Sequence, residues 1–127
     1  MPINTRSRIL VVDDELLIRW SLSEALMAAG YAVVEGRDAA EARQALRDQD
    51  HKPDLVVLDY RLPDSNDLGL LTTIRREAPT VPVILMTAYG TTEVEKGALD
   101  LGAYRVVSKP FEVQDMASLV TEALAAR

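Results

Sequence analysis

The sequence contains no cysteine and only one histidine, and each shortage excludes a class of site. Without cysteine the chain can form neither a disulfide nor a thiolate metal site. His51 has no second histidine or cysteine with which to complete a metal-binding set. We therefore interpret His51, in the polar loop 48–53, as a solvated residue rather than a catalytic base or metal ligand.

Basic residues and long apolar runs are also scarce. Fourteen Lys and Arg residues face twenty Asp and Glu residues, for a net charge of −6, which argues against a nucleic-acid surface in this segment. No apolar run is long enough to span a bilayer, and the opening residues lack the apolar core of a signal peptide. We expect one cytoplasmic domain over residues 1–127, without a membrane or a nucleic acid as partner.

Short apolar runs alternate with segments of helical periodicity along the whole chain. The runs predict strands near 9–12, 31–34, 55–58, 83–86 and 104–107. Helices are predicted near 16–29, 38–47, 71–78 and 92–101, and from about 113, and the fourth is expected to face inward with Val94, Ala98 and Leu101. Asp38 with Glu41, and Thr92 with Glu95, have the form of capping boxes. This alternation predicts an α/β fold, a flavodoxin-like (βα)5 doubly wound parallel sheet with strand order 2-1-3-4-5.

Polar residues follow four of these strands, at the edge where such sheets bind ligands. They are Asp13 and Asp14, Asp59, Thr87, and Lys109. Three clustered carboxylates repel one another unless a pKa rises or a cation binds, and Mg²⁺ suits oxygen ligands. A carboxylate is also a competent nucleophile towards phosphorus, and Asp59, alone on the central strand, is the candidate. The alternative is structural, with the acids favoured at a helix N-terminus and Lys109 as their ion-pair partner.

Four motifs taken in order resemble the response-regulator receiver domains of bacterial two-component signalling, over nearly the whole chain. They are Val11-Val12-Asp13-Asp14-Glu15, Leu58-Asp59-Tyr60-Arg61-Leu62-Pro63, Met86-Thr87-Ala88-Tyr89-Gly90 and Ser108-Lys109-Pro110-Phe111. The segment 86–90 and the Leu-Pro-Asp loop are most similar to receivers of σ54-dependent, NtrC-type activators.

The resemblance implies a role for each matching residue. Asp59 would be the residue that a partner histidine kinase phosphorylates. Asp14, Asp59 and the backbone carbonyl of Arg61 would bind Mg²⁺, and Asp13 would act through water. Thr87 and Lys109 would contact the phosphoryl group, and the Lys109–Pro110 bond would be cis.

The resemblance further implies a phosphorylation switch rather than a turnover enzyme. Its output would be a changed surface near helix 4 and strand 5. Val94, Leu99 and Tyr104 either contribute to a homodimer surface there or pack in the core. The controlled effector would regulate transcription, and we expect the chain to be the N-terminal part of a longer regulator. Trp20, off the main apolar face of the first helix, is either a kinase contact or a partly buried packing residue.

Two departures from the family pattern affect these expectations. Val106 stands three positions before Lys109, where the family often has an aromatic ring whose rotation is coupled to the threonine. Asp67 stands where the loop after Pro63 usually has a glycine, so that turn is expected to differ.

The rival interpretations are an aspartyl-phosphate phosphatase of the haloacid-dehalogenase kind and a flavin or nucleotide binder. A third is a degenerate receiver that serves only for docking. The phosphatase would need a second acid two residues after Asp59, where this chain has Arg61. The nucleotide binder would need a glycine-rich loop after the first strand, where this chain has acids. The intact set of acids, threonine and lysine argues against the degenerate receiver.

Overall fold

In the part of the chain that the structure describes, five parallel strands alternate with five helices, as predicted. The computed structural model describes residues 6–88 and 90–126. The strands are β1 (Arg8–Val12), β2 (Ala32–Gly36), β3 (Leu55–Asp59), β4 (Val83–Thr87) and β5 (Arg105–Ser108). The helices are α1 (Leu16–Ala28), α2 (Ala39–Arg47), α3 (Gly69–Glu77), α4 (Thr92–Asp100) and α5 (Val113–Ala126). Within the described residues no helix is both long and apolar enough to cross a bilayer.

The sheet has the strand order β2-β1-β3-β4-β5, which confirms the predicted flavodoxin-like topology. Its central strands are buried on both faces, and alternate residues face opposite helix layers, as the pleat requires. Val56 and Leu58 pack with α2, α3 and α4, whereas Leu55 and Val57 pack with α1 and α5. The register places Val12 beside Leu58, and Leu58 beside Leu85, so the carboxyl ends of β1, β3 and β4 lie side by side.

Four strands end later than predicted: β3, β4 and β5 by one residue and β2 by two. Asp59 is the last residue of β3 and pairs with Met86, and Thr87 is the last residue of β4 and pairs with Ser108. Both side chains are consequently buried, at 6% and 0% exposure. The apolar runs end before these polar residues, whereas the backbone pairing does not.

The ends of α4 differ from the prediction. Thr91, not Thr92, is the N-cap, and its hydroxyl accepts a hydrogen bond from the Val94 backbone N–H at 3.2 Å. Two consecutive threonines satisfy the cap pattern almost equally, so the pattern does not choose between them. Leu101, predicted to face inward, is the C-cap of α4 and is 39% exposed. The helix ends before its periodicity would return Leu101 to the core.

The cap of α2 forms as predicted. The Asp38 carboxylate accepts a hydrogen bond from the Glu41 backbone N–H at 2.8 Å, and Glu41 reaches back to the Arg37 N–H, also at 2.8 Å. The return bond therefore falls on the residue before the cap. The Lys109–Pro110 peptide bond is cis, which confirms that prediction.

Ser23 in α1 is buried at 2% exposure, and its hydroxyl has no hydrogen-bond partner within the described residues. A buried hydroxyl without a partner loses its hydration without compensation. Ser23→Ala is therefore expected to raise the free energy of unfolding by about 1 kcal/mol, as measured by urea titration. The control is Ser118→Ala, which removes an exposed hydroxyl that bonds the Gln114 carbonyl at 3.1 Å. If Ser23→Ala raises the free energy of unfolding no more than Ser118→Ala does, the prediction is contradicted.

Candidate functional site

The carboxyl edge of the sheet brings the predicted polar residues together. Asp13 directly follows β1, Asp59 ends β3, Thr87 ends β4 and Lys109 directly follows β5. The Lys109 backbone N–H donates to the Thr87 carbonyl at 2.8 Å, which continues the pairing of β4 and β5 to the site. The topology thus converts residues far apart in sequence into one cluster.

Lys109 is the cation at the centre of this cluster. Its Nζ lies 2.9 Å from Asp13 Oδ2, 3.3 Å from Asp59 Oδ2 and 3.5 Å from Glu15 Oε1. Its side chain is only 11% exposed, and those of Asp13 and Asp59 are 0% and 7% exposed. Burying charges is costly unless they are paired, so this ammonium is the group that makes two buried carboxylates tolerable.

Both carboxylate oxygens of Asp13 have partners. Oδ2 accepts from Lys109, and Oδ1 accepts from the Glu15 backbone N–H at 2.8 Å, at the start of α1. The Asp13 backbone N–H also donates to the Gly36 carbonyl at 3.0 Å. Asp13 therefore links the end of β1, the start of α1 and Lys109.

Asp13, Asp14 and Asp59 form an oxygen-rich group that could hold a metal ion. One carboxylate oxygen from each lies within 4.8 Å of the others, and Asp14 is exposed whereas the other two are buried. Hard divalent cations such as Mg²⁺ prefer such ligands. The donor set therefore fits the cation that the sequence predicts.

The pKa of Asp59 is raised well above its ordinary value of 3.8. Burial and, after it, the neighbouring charge of Asp13 together raise its pKa to about 6, against the opposing attraction of Lys109. A carboxylate with a raised pKa is more basic, so it is a better nucleophile when ionised. Near pH 7 the group is mostly ionised, because Lys109 offsets part of the cost of burying its charge beside Asp13.

The pKa of Lys109 is raised despite burial. Desolvation works to lower it, but the hydrogen bond to Asp13 and the charges of Asp59 and Asp13 outweigh that effect. The ammonium therefore stays charged at neutral pH and is available to bind an anion.

An open cavity of about 250 Å³ lies over these residues. Its walls include Asp14, Asp59, Arg61, Thr87 and Lys109. The Arg61 backbone N–H lies 3.4 Å from Asp59 Oδ1, so the loop after β3 returns over the carboxylate. The cavity accommodates a small anionic group and leaves Asp59 approachable from solvent.

Three polar residues that hold the site or the loop after β3 were not predicted from the sequence. Glu15 is a further partner of Lys109, and Arg19 of α1 donates to the Asp13 carbonyl at 2.7 Å. Asp64, in the loop after β3, accepts from the backbone N–H groups of Ala39 and Ala40 at 2.7 and 3.1 Å, and the first of these bonds lowers its pKa. Arg19 and Asp64 bind backbone atoms, which no side-chain pattern reveals.

The remaining residues singled out in the sequence lie outside the cluster. His51 is exposed and lies 3.2 Å from Asp48, as expected for a solvated loop residue, and Trp20 is 57% exposed. Val106 packs half-buried on the α2, α3 and α4 side. Tyr104 packs on the other side, with its hydroxyl 3.0 Å from Glu122, so its ring does not take the place of an aromatic residue at 106.

The strand order and the cluster at the carboxyl edge are those expected of a receiver domain, and comparison with known proteins identifies the family. Residues 9–121 match the model of the response regulator receiver domain. The chain belongs to that family, the receiver domains of two-component systems. The resemblance stated from the sequence is therefore confirmed.

Curated relatives support the finer assignment to NtrC-type receivers. The chain is 35% identical over 119 residues to the DNA-binding transcriptional regulator NtrC of Escherichia coli K12, covering 94% of this chain and 25% of the relative. It is 39% identical over 119 residues to the regulatory protein AtoC of the same strain, covering 93% of this chain and 25% of the relative. The chain thus spans about a quarter of the length of these regulators.

Solved structures show the same fold. A CheY-like receiver domain from Methanospirillum hungatei JF-1 superposes with a TM-score of 0.90 at 28% identity, covering 96% of both chains. The receiver domain of NtrX from Brucella abortus superposes with a TM-score of 0.83 at 37% identity, covering 94% of this chain and 99% of that one.

Proposed function

We propose that this chain is a phosphorylatable signalling switch in which Asp59 accepts a phosphoryl group from a histidine kinase. One observation carries the proposal. The Asp59 carboxylate lies in an open cavity, 3.3 Å from a lysine ammonium and beside two further carboxylates able to hold a divalent cation. A nucleophile, a cation site and an anion-binding ammonium are the groups that phosphoryl transfer requires.

In the proposed reaction a carboxylate oxygen of Asp59 attacks the phosphorus of a phosphohistidine on the kinase. The new bond joins oxygen to phosphorus, and the bond between phosphorus and the imidazole nitrogen breaks. The electron pair of that bond remains on the nitrogen, so the products are an acyl phosphate and free histidine. In the metal-free chain the nucleophilic, ionised form of Asp59 is the majority above its raised pKa of about 6.

Asp14, Asp59 and the Arg61 backbone carbonyl would hold Mg²⁺, which when bound neutralises charge on the phosphoryl oxygens. Asp13 would contribute through water, since both its carboxylate oxygens already have protein partners. Lys109 would contact a phosphoryl oxygen in place of one of its present carboxylate partners. Thr87, buried at the end of β4, would hydrogen-bond another oxygen.

The output would come from the region that follows Thr87. Ala98 is the one buried residue of α4 within the described chain, whereas Leu99 and Leu101 are 44% and 39% exposed. A helix that buries few side chains has low local stability, so it can change position at a small cost in free energy. Phosphorylation would select one position of α4 and change the α4 and β5 surface, which would also support a homodimer. A nearly complete shift of such an equilibrium needs about 5.5 kcal/mol of differential interaction.

The kinase would dock beside the cavity, on the N-terminal end of α1. Leu16, Leu17 and Trp20 are 65%, 77% and 57% exposed there. Leu17 also lines a groove with Pro110 and Phe111, which follow Lys109. Exposed apolar side chains next to the nucleophile suit a helical protein partner that presents its histidine to Asp59.

In the natural protein we propose that an effector region follows residues 1–127. The support is the length of the NtrC and AtoC relatives, about four times the matched segment. NtrC is named as a DNA-binding transcriptional regulator, so control of transcription is the proposed output.

The rival phosphatase would need an acid where Arg61 stands, and the named relatives are regulators.

The test uses the chain with Mg²⁺ and a small acyl-phosphate donor, followed by intact-mass spectrometry. We expect one phosphoryl adduct per chain, which forms when Mg²⁺ is present and does not form when EDTA removes the Mg²⁺. No adduct under these conditions would reject the proposal. Steady turnover of many phosphate esters without an adduct would favour the phosphatase.

A further inference from the structure

Arg19 connects three elements that meet beside the acid cluster. It lies in the first turns of α1, and its side chain is 14% exposed. Its Nε donates to Glu35 Oε1, at the end of β2, at 2.8 Å. Its Nη1 donates to the backbone carbonyl of Asp13 at 2.7 Å. A planar guanidinium that makes two such bonds in different directions is held rigidly.

The carbonyl that Arg19 binds belongs to the peptide between Asp13 and Asp14. On its other side Asp13 is held by the sheet, through the hydrogen bond from its N–H to Gly36. Its side chain is held by Lys109 and by the Glu15 N–H. Arg19 supplies the remaining constraint, because it fixes the plane of the peptide that leads into Asp14.

Asp14 depends on that constraint more than its neighbours do. Its carboxylate is exposed, and we find no hydrogen bond or ion pair for it in residues 6–88 and 90–126. Nothing in that part of the chain therefore orients the side chain except its own backbone. Yet one of its oxygens lies within 4.8 Å of those of Asp13 and Asp59.

We propose that Arg19 is a positioning residue of the site, holding the Asp13–Asp14 peptide so that the Asp14 carboxylate faces Asp59. The inference rests on the proposed function, because it assigns Asp14 and Asp59 to Mg²⁺ binding. Groups that orient metal ligands without touching the metal commonly change affinity by about 10- to 100-fold when removed.

Charge alone predicts the opposite effect, which makes the inference testable. Arg19 is a cation near three carboxylates, so its removal makes the site more negative and should strengthen the binding of a divalent cation. A positioning role predicts weaker binding in spite of that gain. The direction in which Mg²⁺ affinity changes therefore distinguishes a positioning role from a simple charge effect.

The experiment titrates MgCl₂ into the unphosphorylated chain and measures the Mg²⁺ dissociation constant by calorimetry at pH 7.5. We expect Arg19→Gln to weaken binding about 10-fold. The matched control is Arg37→Gln, which removes the same charge from an exposed pair with Glu41 and touches neither Asp13 nor Asp14. It should leave affinity unchanged or slightly improved. Equal or tighter binding by Arg19→Gln, or equal weakening by both variants, would overturn the inference.

A second variant keeps the test decisive if Arg19→Gln does not fold, as judged by circular dichroism. Arg19→Lys retains the charge, but one ammonium cannot reproduce a forked contact with Glu35 and the Asp13 carbonyl. We expect Arg19→Lys to bind Mg²⁺ about 5-fold more weakly than the wild type, because it loses only part of the contact that holds the Asp13–Asp14 peptide. Wild-type affinity in Arg19→Lys would then reject the positioning role.

Failure of the inference can be told from failure of the proposed function. A wild-type chain that binds no Mg²⁺ and forms no adduct would reject both. A wild-type chain that does both, alongside Arg19 variants of unchanged affinity, would reject the inference alone.

Discussion

Replacing Lys109 with methionine should lower the free energy of unfolding by about 2–3 kcal/mol at pH 7.5, in the absence of divalent cations. The ammonium lies 2.9 Å from Asp13 and 3.3 Å from Asp59, and both carboxylates are buried. Methionine keeps the approximate length of the side chain but leaves two desolvated negative charges without their cation. Removing one partner from a buried ion pair is costly for that reason.

The loss should be measured by urea titration in EDTA, with Lys96→Met as the matched control. Lys96 is exposed on α4 and has no salt bridge within the described residues, so its replacement should change stability little. Lowering the pH to 5 should reduce the loss in Lys109→Met, because Asp59 becomes protonated. A loss no larger than that of the control at pH 7.5 would show that Lys109 does not compensate the two acids.

Asp59→Asn should change stability in the opposite direction, raising the free energy of unfolding by about 2 kcal/mol at pH 7.5. The pKa of Asp59 is raised to about 6 from an ordinary value of 3.8, first by burial and then by Asp13. Folding therefore disfavours the ionised form, and the favourable contribution of Asp59, present below its unfolded pKa, is lost as the pH rises through about 6. The full shift corresponds to about 3 kcal/mol, reduced here because Lys109 loses one of its partners.

This sign gives the prediction a pH dependence. Between pH 7.5 and pH 5 the advantage of Asp59→Asn should shrink by about 1 kcal/mol, because the wild-type carboxyl becomes protonated in the folded state. Asp50→Asn, the same change in an exposed loop, should show neither the gain nor its decline. Mg²⁺ should stabilise the wild type and not Asp59→Asn, since a ligand of the folded state shifts the equilibrium by mass action. Equal stability of wild type and Asp59→Asn at pH 7.5 would contradict the raised pKa.

The two substitutions share one interaction, so they should not be additive. In the double variant the neutral amide at position 59 removes one of the two charges that Lys109 compensates. The cost of Lys109→Met should therefore be smaller in the Asp59→Asn background than in the wild type. Contacting residues in one ionic network commonly show coupling energies of about 0.5–3 kcal/mol.

Much of the fold could be predicted because its local signals agree with one another. The apolar runs of β3 and β4 and the cap at Asp38 appear in the structure as expected, and the cis bond at Pro110 appears as the family resemblance implied. The misplaced details lie where local signals are ambiguous. Thr91 and Thr92 compete for one cap, and Leu101 continues a periodicity that the helix itself does not follow.

The candidate site divides in the same way. The proximity of Asp13, Asp59 and Lys109 follows from strand order, because parallel strands bring their carboxyl ends to one edge. The contact between Arg19 and the Asp13 carbonyl does not follow from it. From the sequence, Arg19 is typical of an exposed charged residue on a helix. Its partner is a backbone carbonyl, and because every residue has one, the sequence does not indicate which carbonyl it binds. The family resemblance implied different roles for Asp13 and Asp14, but the burial of Asp13 and the exposure of Asp14 could be known only from the structure.

The most direct test of the central claim locates the phosphorylated residue. The chain is phosphorylated with Mg²⁺ and a small acyl-phosphate donor, the acyl phosphate is reduced with borohydride, and the modified residue is found by peptide mass spectrometry. The acids to be distinguished are Asp13, Asp14 and Asp59. We predict a single modified residue, Asp59, and no modification anywhere in Asp59→Asn. Modification of Asp13 or Asp14, or an adduct that persists in Asp59→Asn, would contradict the assignment of Asp59 as the nucleophile.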